Sequence, residues 1–144
     1  MTSLESRCEQ FKNLMLDQLE RIERIKKDAE WVDYATKDHI TIGICWGDGI
    51  GESISDQAQR ILEYVLQDTI NAGKVTIKII DGLTIENRAS HKQAIPTSVL
   101  ADLKKCDVIL KGPTTTPQKG DQWPNIESAN VAMRRELDLF ACVR

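Results

Sequence analysis

Apolar positions change their spacing partway along the chain. Leu4, Cys8, Phe11, Met15, Ile22, Ile25 and Ala29 recur at steps of three, four or seven. That spacing lays one narrow stripe along a long helix. Three i,i+4 pairs with the acid first, Asp17–Arg21, Glu20–Arg24 and Glu23–Lys27, support the same helix. Residues 1–38 also hold no Gly or Pro. We read them as a helical extension whose stripe docks on the body of the protein or on another subunit. A frayed extension without function accounts for the pattern equally well.

Beyond residue 38 the pattern alternates between strand and helix. Residues 39–46 are a β-branched run that ends at Gly47-Asp48-Gly49-Ile50-Gly51. Residues 53–69 read as a helix with Ala58, Ile61, Leu62, Val65 and Leu66 on one side, stopped at Ala72-Gly73. Residues 74–80 form a strand, and 83–96 read as polar and irregular. Thr97 or Ser98 caps a short helix running to Lys105. A strand over 107–110 follows, then a Pro- and Gly-punctuated loop over 112–127. A helix over 128–137 leads into a strand-like 139–143. This order predicts an α/β fold, a mostly parallel sheet flanked by helices and preceded by the long N-terminal helix.

Composition narrows the partners. The 144 residues carry 19 Lys and Arg against 22 Asp and Glu, a net charge of −3, which disfavours nucleic acid as the main partner. A hydrophobic fraction of 41% suits a globular domain rather than a disordered one. No apolar run is long enough to cross a membrane, and no secretory signal is evident. Cys8, Cys45, Cys106 and Cys142 stand far apart, as do His39 and His91, so a zinc site is not expected. Reduced, buried thiols in a cytoplasmic protein are the simpler reading.

Three segments can carry chemistry. Gly47–Gly51 sits between a strand and a helix, where a backbone turn and free N–H groups suit an anion. Its spacing is neither a dinucleotide fingerprint nor a P-loop, and a structural turn explains it better. Lys111-Gly-Pro-Thr-Thr-Thr-Pro117 follows a strand, where ligands bind in open α/β sheets. A lysine and three hydroxyls there suit phosphate or carboxylate oxygens, and a plain turn is an equal alternative. In Ser128-Ala-Asn130-Val-Ala-Met-Arg134-Arg135, Asn130 and Arg134 share a helix face and Ser128 stands at the entrance. With Arg144 they make a polycarboxylate-binding set, since each guanidinium grips a carboxylate with two hydrogen bonds. The simpler alternative makes Ser128 an N-cap and pairs Arg134 and Arg135 with Glu136 and Asp138.

Taken together and in order, these motifs resemble the β-decarboxylating dehydrogenases, the isocitrate and isopropylmalate dehydrogenase family. The landmarks are Gly-Asp-Gly-Ile-Gly, Lys-Gly-Pro-x-Thr-Thr-Pro and the long Ser-x-Asn-Val-Ala-x-Arg-x-Glu-Leu-Asp-Leu-Phe-x-x-x-Arg, within residues 39–144. The resemblance implies that 39–144 is the N-terminal, incomplete part of the family's large domain, with 1–38 outside the common core. It implies substrate binding by Ser128, Asn130, Arg134 and Arg144. It also implies cofactor contact by Thr115, Thr116, Lys111 and Ile50. Ser128 with Asn130 points to isocitrate rather than isopropylmalate, although the 117–128 segment is longer than is typical. The implied reaction oxidises a 2-hydroxy tricarboxylate with NAD or NADP and then decarboxylates it with help from Mg²⁺ or Mn²⁺. The metal ligands and catalytic residues are expected outside this chain, since Asp48 and Asp81 do not match the family's metal positions. The resemblance further implies a homodimer in the full-length form. Three other readings stay open: a non-catalytic truncated paralogue serving as an interaction or regulatory subunit, a homoisocitrate- or isopropylmalate-type enzyme, and an unrelated anion-binding α/β module.

Overall fold

The computed structural model describes residues 3–27, 32–139 and 141–143. They fall into two units that divide between Thr36 and Lys37. In the first unit, α1 spans Ser3–Lys27. The stripe predicted from spacing lies on this helix, except for Ala29, which is outside the described residues. Its apolar side chains are exposed, from Met15 at 46% to Leu4 at 71%. Asp33 ends the unit in a turn, its carboxylate accepting from the Ala35 N–H at 3.0 Å.

The second unit is built on β1 (Ile40–Cys45), followed by α2 (Gly51–Val65), α3 (Gln67–Asn71) and β2 (Val75–Ile79). Then come α4 (Ile85–His91), α5 (Thr97–Leu103), β3 (Val108–Lys111) and α6 (Ala129–Glu136). The sheet has the order β2-β1-β3 and both pairings are parallel, with Ile42 opposite Ile77 on one side and Val108 on the other. Parallel strands need crossovers, and the helices between them supply these and cover the sheet. Cys45, Ile80, Leu83, Val99, Leu103 and Met133 anchor the core.

Several elements differ from the sequence expectation. The helix expected over 53–69 starts earlier and breaks at Leu66, giving α2 and α3. Its inward line runs Ser55, Ala58, Leu62 and Leu66, while Ile61 and Val65 are 64% and 70% exposed. Residues 85–91, expected to be irregular, are helical. The helix N-terminus is satisfied from outside the segment, because the Asp48 carboxylate accepts from the Ile85 N–H at 2.7 Å. Neither Thr97 nor Ser98 caps α5. Pro96 holds that position, and the Gln93 side-chain oxygen accepts from the Thr97 N–H at 3.3 Å. The strand expected over 139–143 is not formed by Leu139 or by 141–143. Asp138 turns left-handed at φ 51°, and the Leu139 N–H is spent on the Arg134 carbonyl at 3.0 Å. Those bonds close the end of α6 rather than begin a ladder.

Candidate functional site

The three motif segments meet beyond the carboxyl ends of β1 and β3, and the contact starts with glycine. A Cβ on Gly47 would sit 1.9 Å from the Pro113 carbonyl oxygen. One on Gly51 or Gly112 would sit 2.2 or 2.0 Å from the Trp46 carbonyl oxygen. The glycine loop therefore packs backbone against backbone on the Lys-Gly-Pro turn. Gly47, at φ 78°, also needs a backbone that side-chain-bearing residues avoid.

Asp48 fastens the joint. Its N–H donates to the Pro113 carbonyl at 2.7 Å. Its carboxylate accepts from the Ile85 N–H at 2.7 Å and from the Thr115 N–H at 2.6 Å. Arg88, on α4, has no exposed surface. Its guanidinium donates to the carbonyls of Ala94 at 2.8 Å, Thr115 at 2.8 Å and Glu127 at 3.1 Å. Burial pushes the Arg88 pKa down and the nearby Asp48 carboxylate pushes it back up. Both residues were missed as site-builders by sequence reasoning. The only signal for Asp48 was its place inside the glycine motif, and Arg88 lay in a stretch read as irregular.

Thr115 is thus held at both backbone ends, by Asp48 at its N–H and by Arg88 at its carbonyl, while the residue itself is exposed. Thr116 is exposed beside it, and Ile50 is 71% exposed on the glycine loop. Lys111 is half-buried and turned into its own loop. Its ammonium donates to the Gly112 carbonyl at 2.8 Å and to Thr114 Oγ1 at 3.0 Å. Burial lowers the Lys111 pKa.

The same Arg88 bond to the Glu127 carbonyl fixes the residue before Ser128. Ser128 stands at the N-cap of α6 but makes no side-chain capping bond. Its hydroxyl therefore has no capping role at this helix end, where N–H groups favour an anion. Ala132 and Met133 are buried on the inner face, whereas Asn130 and Arg134 are exposed. The two arginines separate. Arg135 holds Glu127 with two bonds of 2.9 and 3.1 Å and reaches Glu136 at 3.1 Å, which raises its pKa. Arg134 makes no such pair with a described carboxylate. Arg144 lies outside the described residues. Among the described residues, no three His, Cys, Asp or Glu side chains gather as a metal site. No described helix is long and apolar enough to cross a membrane.

In open parallel α/β sheets, polar loops gathered at the strands' carboxyl ends are where ligands are commonly held. Residues 41–144 match the isocitrate/isopropylmalate dehydrogenase family, and the chain belongs to it. It is 30% identical over 122 residues to an isocitrate dehydrogenase [NADP] of Haloferax volcanii, covering 85% of this chain and 27% of the relative. It is 35% identical over 99 residues to the isocitrate dehydrogenase [NADP] of Staphylococcus epidermidis, covering 68% and 22%. The Streptococcus mutans isocitrate dehydrogenase [NADP] is 35% identical over 100 residues, covering 68% and 24%. The chain thus spans about a quarter of the length of the curated relatives it matches. No solved structure gives a significant match.

Proposed function

We propose that this chain supplies the substrate-gripping helix and the nicotinamide-side loop of an NADP-dependent isocitrate dehydrogenase, which oxidises and decarboxylates isocitrate to 2-oxoglutarate. The observation that carries the reading is Ser128, whose hydroxyl stands at the entrance of α6 without a capping bond, on the helix that bears exposed Asn130 and Arg134. A tricarboxylate suits that set. One carboxylate meets the helix N-terminus and the Ser128 hydroxyl, and another takes two hydrogen bonds from Arg134. Asn130, one turn before Arg134, offers a donor and an acceptor to a hydroxyl or a carboxylate. Arg144 completes the proposed set. These groups orient the substrate and balance its charge.

The exposed Thr115 and Thr116 hydroxyls and the apolar Ile50 side chain suit the carboxamide and ring of a nicotinamide, which supplies a hydride acceptor when bound. Asp48 and Arg88 act behind Thr115 by fixing its backbone. Lys111 holds the turn that carries it. The relatives are isocitrate dehydrogenases [NADP], which supports NADP as the cofactor.

The test measures nicotinamide reduction by the whole gene product with isocitrate, homoisocitrate and isopropylmalate, each with NAD and NADP and with Mn²⁺. Turnover with isocitrate and NADP is expected. Arg134→Ala should cost about 2–5 kcal/mol in kcat/KM, because a desolvated carboxylate loses its partner. Preference for isopropylmalate, or an Arg134→Ala variant of unchanged kcat/KM, would sink the assignment.

A further inference from the structure

Among the described residues of its own unit the apolar face of α1 is uncovered, and its sequence states what kind of partner it fits. Leu4, Phe11 and Ile25 fall on one heptad position, Cys8, Met15 and Ile22 on the other, with Gln18 completing the repeat. This alternation of three and four suits the seam of a two-helix coiled coil, with Leu14 and Leu19 flanking it on either side. Phe11, Met15, Ile22 and Ile25 are 65%, 46%, 47% and 50% exposed. A polar Gln at one seam position costs stability and pins the register.

The flanking charges choose the orientation. If two copies ran parallel, Arg7 would face Lys12 of the second copy and Arg21 would face Lys26. By symmetry that makes four like-charge contacts. If they ran antiparallel, with Cys8 layered on Ile25 of the second copy and Met15 on its Gln18, Glu5 would face Lys26 at both ends. Lys12 would then lie against Leu19, and Leu14 against Arg21, whose aliphatic stems can cover apolar neighbours. The antiparallel pair brings opposite charges together and opposes no like charges among these positions. In the structure Lys26 pairs with its own Glu23, at 2.8 Å on an exposed surface, a pairing that is readily exchanged.

We propose that α1 is a self-association element through which two copies of this chain pair antiparallel, seam to seam. The inference is independent of the activity proposed above.

The experiment uses the 144-residue chain in a Cys142→Ser background, since Cys142 is also exposed. Its mass is followed by light scattering through a dilution series. Twice the 16.2 kDa of one chain is expected. Phe11→Glu with Ile22→Glu should halve that mass. Leu16→Glu, equally exposed but off the seam, should leave it unchanged. Orientation is read separately by mild thiol oxidation of an Ile25→Cys variant, with peptide mapping. A dimer linked between Cys8 and the thiol introduced at position 25 is expected. A monomer at all concentrations would overturn the proposal, as would equal loss of mass in the Leu16 and seam variants. A dimer linked Cys8 to Cys8 would show the parallel arrangement and overturn it too. A link within one chain, or an apolar seam that stays protected in a monomer, would assign the face to an intrachain partner instead.

Discussion

Removing the buried Arg88 side chain would take from the carbonyls of Ala94, Thr115 and Glu127 the one donor that ties them together. Each lost bond leaves an acceptor without its partner, so Arg88→Ala should destabilise the second unit by about 3–5 kcal/mol, read from the denaturant midpoint. Arg88→Lys should recover little of this, because an ammonium lacks the planar fork that serves three carbonyls at once. Asp48→Asn should cost about 2 kcal/mol, because the amide nitrogen would present hydrogens to an N–H that needs an acceptor. Neither role was legible in the sequence. A hydrogen bond to a carbonyl carries no residue identity, and the acceptors of Arg88 lie as far as 39 positions away. The shared, exposed face of Asn130 and Arg134 was legible because they lie on one helix, where spacing alone fixes which face a residue takes. The thiols offer a further check at this scale. Burial pushes the Cys45 thiol up to about 11, with Lys111 pulling the other way. Cys45 should therefore stay unalkylated at pH 8 until the chain unfolds, while exposed Cys8 and Cys142 react at once.

At the scale of elements, strands were easier to read than short helices. Ile40–Cys45 is β-branched at alternate positions and sits between two neighbours, so its local preference and its surroundings agree. Ile85–His91 has polar composition and is helical because Asp48 and Arg88 fasten it to distant loops. The misread strand over 139–143 had the composition but not the hydrogen-bonding geometry. A side-chain clamp at the start of β3 gives a pH signature. A hydrogen bond from the Lys37 ammonium, then one from the Thr41 N–H at 2.8 Å, holds the Asp107 carboxyl below the usual carboxylate range. A depressed native pKa contributes stability above the unfolded value of about 4 and loses it as pH falls through the native value. Urea midpoints of the wild type should therefore decline on acidification below about pH 4. Those of Asp107→Asn should start lower and decline less.

Across the whole molecule, protection should follow the sheet. β1 is paired on both sides, whereas β2 and β3 are each paired on one side among the described residues. In native-state hydrogen exchange the amides of Ile42–Cys45 should outlast those of β2 and β3. Coincident exchange across the three strands would mean that the unit opens only as a whole. The parallel sheet was readable from the alternation of strand and helix signals. The way the loops are locked together was not, since it depends on what glycine lacks. Gly47, Gly51 and Gly112 meet carbonyl oxygens at distances that no added carbon survives. That makes the joint intolerant in an unusual sense. Most surface turns accept a library of replacements, and cores accept exchanges of similar volume. Here there is no side-chain volume to trade. In a saturation scan scored by folded yield, positions 47, 51 and 112 should admit no residue but the wild type, alanine included. Gly49, Gly73 and Gly120, which have open space around the missing Cβ, should accept the residues that tolerate a left-handed backbone.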